Sequence, residues 1–367
     1  MKIQIARPYI DEEDVEGVIE VLRSGWLSLG PKYTQFEDNF AKYVGVKYAC
    51  VVSSGTAALH LGVKALGLTK DDEVITSPFS FVASSNCLLY ENVKPIFVDI
   101  EVRTFNIAPS LIERAITKRT KAILPIHIFG QSADMDPIMQ IAKKYNLKIL
   151  EDSCESLGAR YKGEMVGTFG DIGTFAFYPN KQMTTGEGGM IVTNSKELYD
   201  LCDSMRNQGR GDSGDWLVHD RVGYNYRMDE MSASLGITQL KKIKWMIKEK
   251  RKIASWYNNA LGDIADVELP VVGKSRTHSW FVYVIRVKNG KRDRLMNELG
   301  RMGIQTKPYL PVIHLQPFMR KLFKYKEGDF PVAESVSGQT LALPLYIGLT
   351  KKDIEYIAQK LRTIING

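Results

Sequence analysis

The chain has 367 residues, 44% hydrophobic and 25% charged, with a formal net charge of +7: a soluble globular protein with a large core, suited to anionic substrates and not in need of nucleic acid. Its first residues, Met1-Lys-Ile-Gln-Ile-Ala-Arg-Pro8, hold no sustained apolar run, so no signal peptide is expected, and no stretch is apolar for long enough to cross a membrane. Cys50, Cys87, Cys154 and Cys202 lack paired-ligand spacing, which points to reduced cytoplasmic thiols rather than a zinc site or a disulfide frame.

The first helix is expected to start near Asp11, with Asp14 three residues on and Val15, Val18, Ile19 and Leu22 on one face. Ser24-Gly-Trp-Leu-Ser-Leu-Gly-Pro31 reads as a loop. From Ala49 on, strand-like runs alternate with helix-like runs: Ala49–Val52, Glu73–Thr76, Pro95–Val98, Ala122–His127 and Lys148–Leu150. This is the pattern of an α/β fold, a mostly parallel sheet with helices on both faces. Right-handed crossovers gather the loops after these strands at one edge. Gly55, Phe81, Asp152 and Lys181 all fall at or near that edge.

Three of those places carry chemistry. In Val51-Val-Ser-Ser-Gly55-Thr56-Ala-Ala-Leu-His60, Gly55 and Thr56 open a helix, where free amides, the helix dipole and a hydroxyl favour a phosphate. The same residues also suit a helix cap with no ligand. Leu147-Lys-Ile-Leu-Glu151-Asp152 reads as a buried parallel strand that ends in two carboxylates. Asp152 would lie where open α/β sheets place ligands. A carboxylate there can keep a heterocyclic nitrogen protonated, as pyridoxal phosphate requires, or it can simply cap a turn. In Thr174-Phe-Ala-Phe-Tyr-Pro-Asn-Lys181-Gln-Met-Thr-Thr-Gly-Glu-Gly-Gly-Met190, a strand (Gly173–Tyr178) meets Pro179, presents one lysine, and breaks into a glycine-rich turn before the strand Met190–Thr193. A lysine held rigidly between apolar strands can form a Schiff base. The plainer reading is a surface lysine in a hairpin loop.

Beyond this region, Lys241–Lys252 reads as an amphipathic helix. Leu240, Ile243, Met246 and Ile247 form its apolar stripe, and the lysines occupy a solvated face rather than a nucleic-acid patch. After Lys252 the pattern changes. Phe281–Val287 reads as a strand, Arg292–Met302 as a helix, and Thr350-Lys-Lys-Asp353 as the start of a closing helix with Ile354, Ile357, Ala358, Leu361 and Ile364 on one face. The expected division is a large cofactor-binding domain over 1–250 and a smaller α+β domain over 251–367, with the N-terminal helix joining or packing near the small domain.

Six motifs occur in one order: Ser54-Gly-Thr-Ala-Ala-Leu59, Asp72–Ala83, Pro125-Ile-His-Ile-Phe-Gly130, Glu151-Asp152, Lys181–Gly189 and Gly223-Tyr-Asn225-Tyr-Arg-Met-Asp-Glu230. In that order they resemble the DegT/DnrJ/EryC1/StrS family of pyridoxal-phosphate-dependent sugar aminotransferases, from about Ile5 to about Leu361. The Tyr-Pro-Asn-Lys and Thr-Thr-Gly-Glu-Gly-Gly wording is similar to the perosamine-synthase-like branch, which aminates C4 of a 4-keto-6-deoxyhexose. The resemblance implies the pyridoxal-phosphate (PLP) transferase fold of type I. Lys181 would hold the cofactor and carry the proton, Asp152 would pair with its ring nitrogen, and Phe81 would stack on the ring. Glu155 matches a position near the phenolic oxygen. Asn225 resembles an asparagine that reaches the phosphate of the neighbouring subunit, which implies a homodimer with shared active sites.

For the substrate, the resemblance points to Trp26, Leu27 and Ser28 beside the sugar and to Tyr309 and His314 near the nucleotide. Met205–Arg210 would be a source of guanidinium for a diphosphate. Each is equally open to a purely structural role. One position departs from the pattern: Ala176 stands where many relatives have a serine that helps bind the phosphate, so other donors must compensate. His127 reads as a packing residue. The implied reaction takes an amino group from L-glutamate and gives it to the keto carbon of a nucleotide-linked sugar, with ping-pong kinetics, for a surface polysaccharide or glycan. A C3 or cyclitol aminotransferase would use the same residues. A sugar dehydratase characteristically replaces the lysine with histidine, and Lys181 opposes that reading. A non-enzymatic regulator is opposed by the lack of a DNA-binding segment.

Overall fold

The computed structural model describes residues 2–211 and 217–366. Helix α1 (Glu12–Ser24) starts where the capping pattern puts it: the Asp11 side chain accepts the Asp14 amide, and the Asp14 side chain accepts that of Asp11. Helix α2 (Pro31–Val44) follows, its first amides held by the buried carboxylate of Glu230.

Seven strands build the main sheet. They are β1 (Tyr48–Val52), β2 (Glu73–Thr76), β3 (Lys94–Phe97), β4 (Thr120–Ile123), β5 (Lys148–Asp152) and, beyond a short hairpin of β6 (Arg160–Tyr161) and β7 (Glu164–Met165), β8 (Ile172–Ala176) and β9 (Gly189–Thr193). The spatial order is β1-β9-β8-β5-β4-β2-β3. Strand β9 runs antiparallel to both neighbours, and the remaining pairs are parallel. Helices α3 (Gly55–Ala65), α4 (Ala83–Leu89), α5 (Met135–Tyr145) and α6 (Lys196–Arg206) cover the sheet. The strands are buried almost throughout, as parallel strands roofed on both faces must be.

The boundaries differ from expectation where the backbone chemistry intervenes. The run Ala122–His127 pairs only as far as Ile123 in β4, because Pro125 has no amide to give; a single bridge then joins Ile126 to Asp152. Antiparallel β8 and β9 end in register at Ala176 and Gly189. The segment between them therefore closes as a loop at the edge where β1, β2 and β5 also end.

Helix α7 (Glu230–Leu261) spans 32 residues. Leu240, Ile243, Met246 and Ile247 are buried, as the stripe requires. One lysine breaks the expected pattern: Lys250 lies on the buried face. The helix crosses position 250 without a break, and from Ile253 on its apolar residues belong to a second core with Tyr283, Leu299 and Ile357. That core holds the sheet β10 (Val267–Glu268), β12 (Tyr283–Val287) and β13 (Thr340–Leu343), while β11 (Arg276–Thr277) pairs with β6. Helices α8 (Arg292–Arg301) and α11 (Lys351–Asn366) complete it, while α9 (Pro317–Phe323) packs through Met319 near Phe97 and α10 (Pro331–Gln339) joins the core of the main sheet through Ala333 and Val336. The N-terminal segment joins this part: Ile3 pairs with Ile304, and the Leu345 amide donates to Ile5. Among the described residues, no helix is long and apolar enough to cross a membrane.

Candidate active site

The loop between β8 and β9 is folded back on itself by its own side chains. The Thr184 hydroxyl donates to the Phe177 carbonyl (2.9 Å) and accepts the Gly186 amide (3.0 Å), and the Thr185 hydroxyl donates to the Glu187 carbonyl (2.6 Å). Gly188 has φ 158°, and a Cβ there would run into Met228 and the Thr185 hydroxyl. The Lys181 amide donates to the Tyr178 carbonyl (2.9 Å) and closes a turn. The Gln182 side chain donates to Glu155 O (2.5 Å) and Ser279 Oγ (2.9 Å), which ties the loop to the helical turn after β5.

From this loop the Lys181 amine projects to within 3.7 Å of Glu155 Oε1 and 4.1 Å of the centre of the Phe281 ring. Glu155 is buried, and its other oxygen accepts the Phe129 amide (3.0 Å). Burial pushes its pKa up, and the Lys181 charge opposes that shift.

Lys181 faces a cavity of about 500 Å³ that Gly55, Thr56, Phe81, Asp152, Glu155 and Tyr309 also line. The Asp152 carboxylate, 5% exposed, accepts the Ser84 hydroxyl (2.7 Å) and the Cys154 amide (3.1 Å), and Ser84 in turn meets Ser80 Oγ at 2.8 Å. Its neighbour Glu151 turns to the opposite side of the strand. There it accepts the amides of Gly167, Phe169 and Gly170 and the Nε2–H of His127 (2.9 Å). His127 Nδ1 accepts the Ala133 amide (3.0 Å), so His127 is the packing residue expected.

At the start of α3 the Ser54 hydroxyl takes the Ala57 amide (3.1 Å). The amides of Gly55 and Thr56, which have no intrahelical acceptor, stand at the cavity. A Cβ on Gly55 would lie 2.6 Å from Ala176 Cβ and 3.1 Å from Cys154 Sγ, so only glycine lets the helix end abut this wall. The Phe81 ring is 60% exposed at the cavity's edge.

Other expected residues lie elsewhere in this chain. Trp26 and Ser28 sit on an exposed loop that bridges to Asp229, with Trp26 Nε1–H donating to the Ser28 carbonyl (3.0 Å), and neither lines the cavity. Asn225 is exposed on a strap that bridges to Asn207 and is likewise outside the cavity lining. His314 is fully buried, with Nε2 3.0 Å from Glu334 Oε1 and its ring against Phe330. The structure places it in packing rather than at the cavity. Arg206, within the run read as a guanidinium source, is buried against Glu37 and Asp203 and donates to the Val51 carbonyl (2.6 Å). Its charge is spent inside the fold.

The sequence reading missed three groups at the cavity. Ser84 lies in the first turn of α4 and Ser80 in the bend before it, an arrangement no local periodicity announces. Asn180, beside Lys181, keeps a buried Oδ1 with no hydrogen-bond partner among the described residues. Phe281 comes from the segment just before β12, and no local signal ties it to Lys181.

An amine, a carboxylate, the first amides of a helix and an exposed aromatic residue thus share one cavity. The model of the DegT/DnrJ/EryC1/StrS aminotransferase family matches residues 8–362. This chain belongs to that family. It is a PLP-dependent sugar aminotransferase of fold type I. It is 38% identical to the spore coat polysaccharide biosynthesis protein SpsC of Bacillus subtilis, with 98% of this chain and 96% of that protein covered. It is 36% identical to the GDP-perosamine synthase of Caulobacter vibrioides, with 99% and 98% covered. Its fold is similar to that of Spr1654 from Streptococcus pneumoniae, at 26% identity. The PLP form of that protein gives a TM-score of 0.94 with 100% and 99% covered, and the PMP form 0.95 with 100% and 98% covered. The donor set of the cavity fits the aminotransferase cofactor: a carboxylate for a ring nitrogen, backbone amides for a phosphate, and a primary amine for a carbonyl carbon.

Proposed function

We propose that this aminotransferase moves an amino group from L-glutamate to C4 of a nucleotide-linked 4-keto-6-deoxy sugar, for a surface polysaccharide or glycan. The observation that carries the reading is the convergence of Lys181 and Asp152 on one 500 Å³ cavity, together with the likeness to a GDP-perosamine synthase and to a spore coat polysaccharide protein over nearly the full chain.

In this reading Lys181 would hold the cofactor through its amine and, when free, would be the base that takes the proton from the donor Cα. Bound PLP supplies an electron sink for the charge that develops at the donor Cα. Asp152, held by Ser84 and the Cys154 amide, keeps the ring nitrogen protonated. Phe81 covers the ring face, and Glu155 stands by the phenolic oxygen. The amides of Gly55 and Thr56 take the phosphate, and they carry more of it because Ala176 offers no hydroxyl. The site lies between a large domain, 1–250, and a small one, 251–367, which supplies Phe281 and Tyr309. The exposed positions of Trp26, Ser28 and Asn225 suit a homodimer in which a second copy completes the site. His314 then shapes the segment that carries Tyr309.

The test is the visible spectrum of the purified protein with PLP, before and after L-glutamate. The band of the lysine-bound cofactor gives way to that of the pyridoxamine form, with 2-oxoglutarate released before any sugar is added. A band that ignores glutamate overturns the donor, and the absence of a band overturns the role of Lys181. A panel of keto sugars offered to the aminated enzyme then checks C4.

A further inference from the structure

Lys250 is a buried amine that the reaction as described does not use. It is 6% exposed on the inner face of α7, and its Nζ donates to the main-chain carbonyl of Lys181 at 3.4 Å. Among the described residues no carboxylate forms an ion pair with it. Eleven residues earlier, three turns along the same face, the Gln239 side-chain oxygen accepts the Thr184 amide (3.3 Å). Helix α7 therefore grips the Lys181–Thr184 segment at its first carbonyl and at its last amide.

Packing alone does not call for a charge at this position. The small cavity beside Lys250, about 20 Å³, has an apolar wall of Pro179, Met183, Met246, Leu345 and Ile347 and a polar wall that includes Arg7 and Gln239 but no carboxylate. A methionine would fill the same space. An ammonium held there by one long hydrogen bond is a net cost to folding. Burial first, and the Lys181 charge second, lower its pKa to about 8, so near neutral pH it retains the proton it donates.

We propose that Lys250 is a positioning residue for the aminotransferase reaction: by holding the Lys181 carbonyl it fixes the turn from which the Lys181 amine enters the cavity, at the expense of stability. The inference rests on Lys181 being the cofactor-bearing amine. Its mark is a dissociation that a merely structural lysine would not give.

The full-length Lys250→Met and Lys250→Arg variants are compared with the parent by thermal melting without cofactor, by the single-turnover rate of the L-glutamate half-reaction with PLP bound, and by the rate at which an amine-selective acylating reagent labels Lys181 in the cofactor-free chain, mapped by peptide mass. Lys250→Met melts at or above the parent temperature, labels Lys181 at a severalfold altered rate, and slows the half-reaction roughly tenfold to a hundredfold, the scale of a small misplacement of a reacting group. Lys250→Arg, which keeps a cationic donor, recovers part of the rate. A Lys250→Met protein that labels and turns over within about twofold of the parent overturns the proposal. So does a loss of rate that tracks a fall in melting temperature in both variants. A Lys181→Ala protein that keeps the parental half-reaction would refute the underlying role of Lys181 instead, an outcome separate from either Lys250 result.

Discussion

At the scale of single residues, the site depends on the two neighbours Glu151 and Asp152 doing unrelated work. The strand pleat sends Glu151 to the loop amides of 167–170 and to His127, and sends Asp152 to the cavity, where Ser84 and the Cys154 amide fix its orientation. Asp152→Asn keeps the shape but turns one of the two accepting oxygens into an amide donor and removes the negative charge that would stabilise a protonated ring nitrogen. The expected result is retained PLP binding with a half-reaction slowed by roughly a hundredfold or more, on the scale of losing a preorganised electrostatic contact. Stopped-flow absorbance after mixing with L-glutamate measures it, and a rate within tenfold of the parent would remove Asp152 from its assigned role.

Lys250 carries a pH prediction whose sign follows from its lowered pKa. Below about 8 both the folded and the unfolded chain hold its proton, and the burial cost is fully present. Between about 8 and the ordinary value of 10.5 the unfolded chain binds more protons than the folded one, so this group's contribution to stability improves as pH rises. Arg7, Tyr9 and Lys181 line the same small cavity and are common to both proteins compared. The melting temperature of Lys250→Met therefore exceeds that of the parent most at pH 7, and the gap narrows by pH 10. Parallel curves would show that the buried charge is not the source of the difference.

At the scale of elements, the cavity exists because strand ends and one helix end meet with almost no space between them. Helix α3 begins against Ala176 and Cys154 with room for a hydrogen only. In Gly55→Ala the new methyl group lies 2.6 Å from Ala176 Cβ, so the helix end must retreat from the wall. Overpacking of this kind costs about 1–3 kcal/mol, and the retreat moves the amides expected to hold the phosphate. Titration of the cofactor-free protein with PLP should show affinity weakened about tenfold or more, along with a lowered melting temperature. Unchanged affinity would show that these amides are not the phosphate site.

Much of this geometry was legible in the sequence, since Gly55, Phe81, Asp152 and Lys181 each follow an apolar run that became a strand of one sheet. Periodicity located the strands to within a few residues and erred where Pro125 stopped a ladder. What stayed hidden was contact across distance. Phe281 reaches Lys181 from a hundred residues away in sequence. Lys250 looked like the solvated lysines around it because its side chain is charged, although at about 100° per residue position 250 falls between Met246 and Ile243 on the apolar stripe. His314 and Arg206 look like ligands for an anion, yet His314 is buried in hydrogen-bond reach of Glu334 and Glu37 neutralises Arg206 internally, and no local pattern announces such partners.

At the scale of the whole molecule, Asn225 poses a question of stoichiometry. The strap that carries it is anchored from behind: Tyr224 and Tyr226 stack at 4.9 Å, the Tyr226 hydroxyl meets His60 Nδ1 at 3.0 Å, and the Ser53 amide donates to the Tyr226 carbonyl at 2.8 Å. The backbone that carries the exposed Asn225 is therefore joined to the residue just before the α3 cap, at the helix end proposed to take the phosphate. A strap anchored in this way, with its asparagine exposed and outside the cavity lining of its own chain, is suited to serving a second copy across a two-fold axis. Two variants decide the matter together. Lys181→Ala is inactive because its own site lacks the amine, and Asn225→Ala is expected to be severely weakened because it fails the neighbouring site. If the asparagine acts in trans, a mixed dimer of the two holds one intact site and one doubly defective site. Random exchange of equal amounts makes half the dimers mixed, so activity should return to about a quarter of the parental value. If Asn225 serves its own chain, or the protein acts as a monomer, every site in the mixture lacks one residue and no activity returns. Subunit exchange followed by an assay of 2-oxoglutarate formation with L-glutamate and the aminated sugar's keto precursor distinguishes the two results directly.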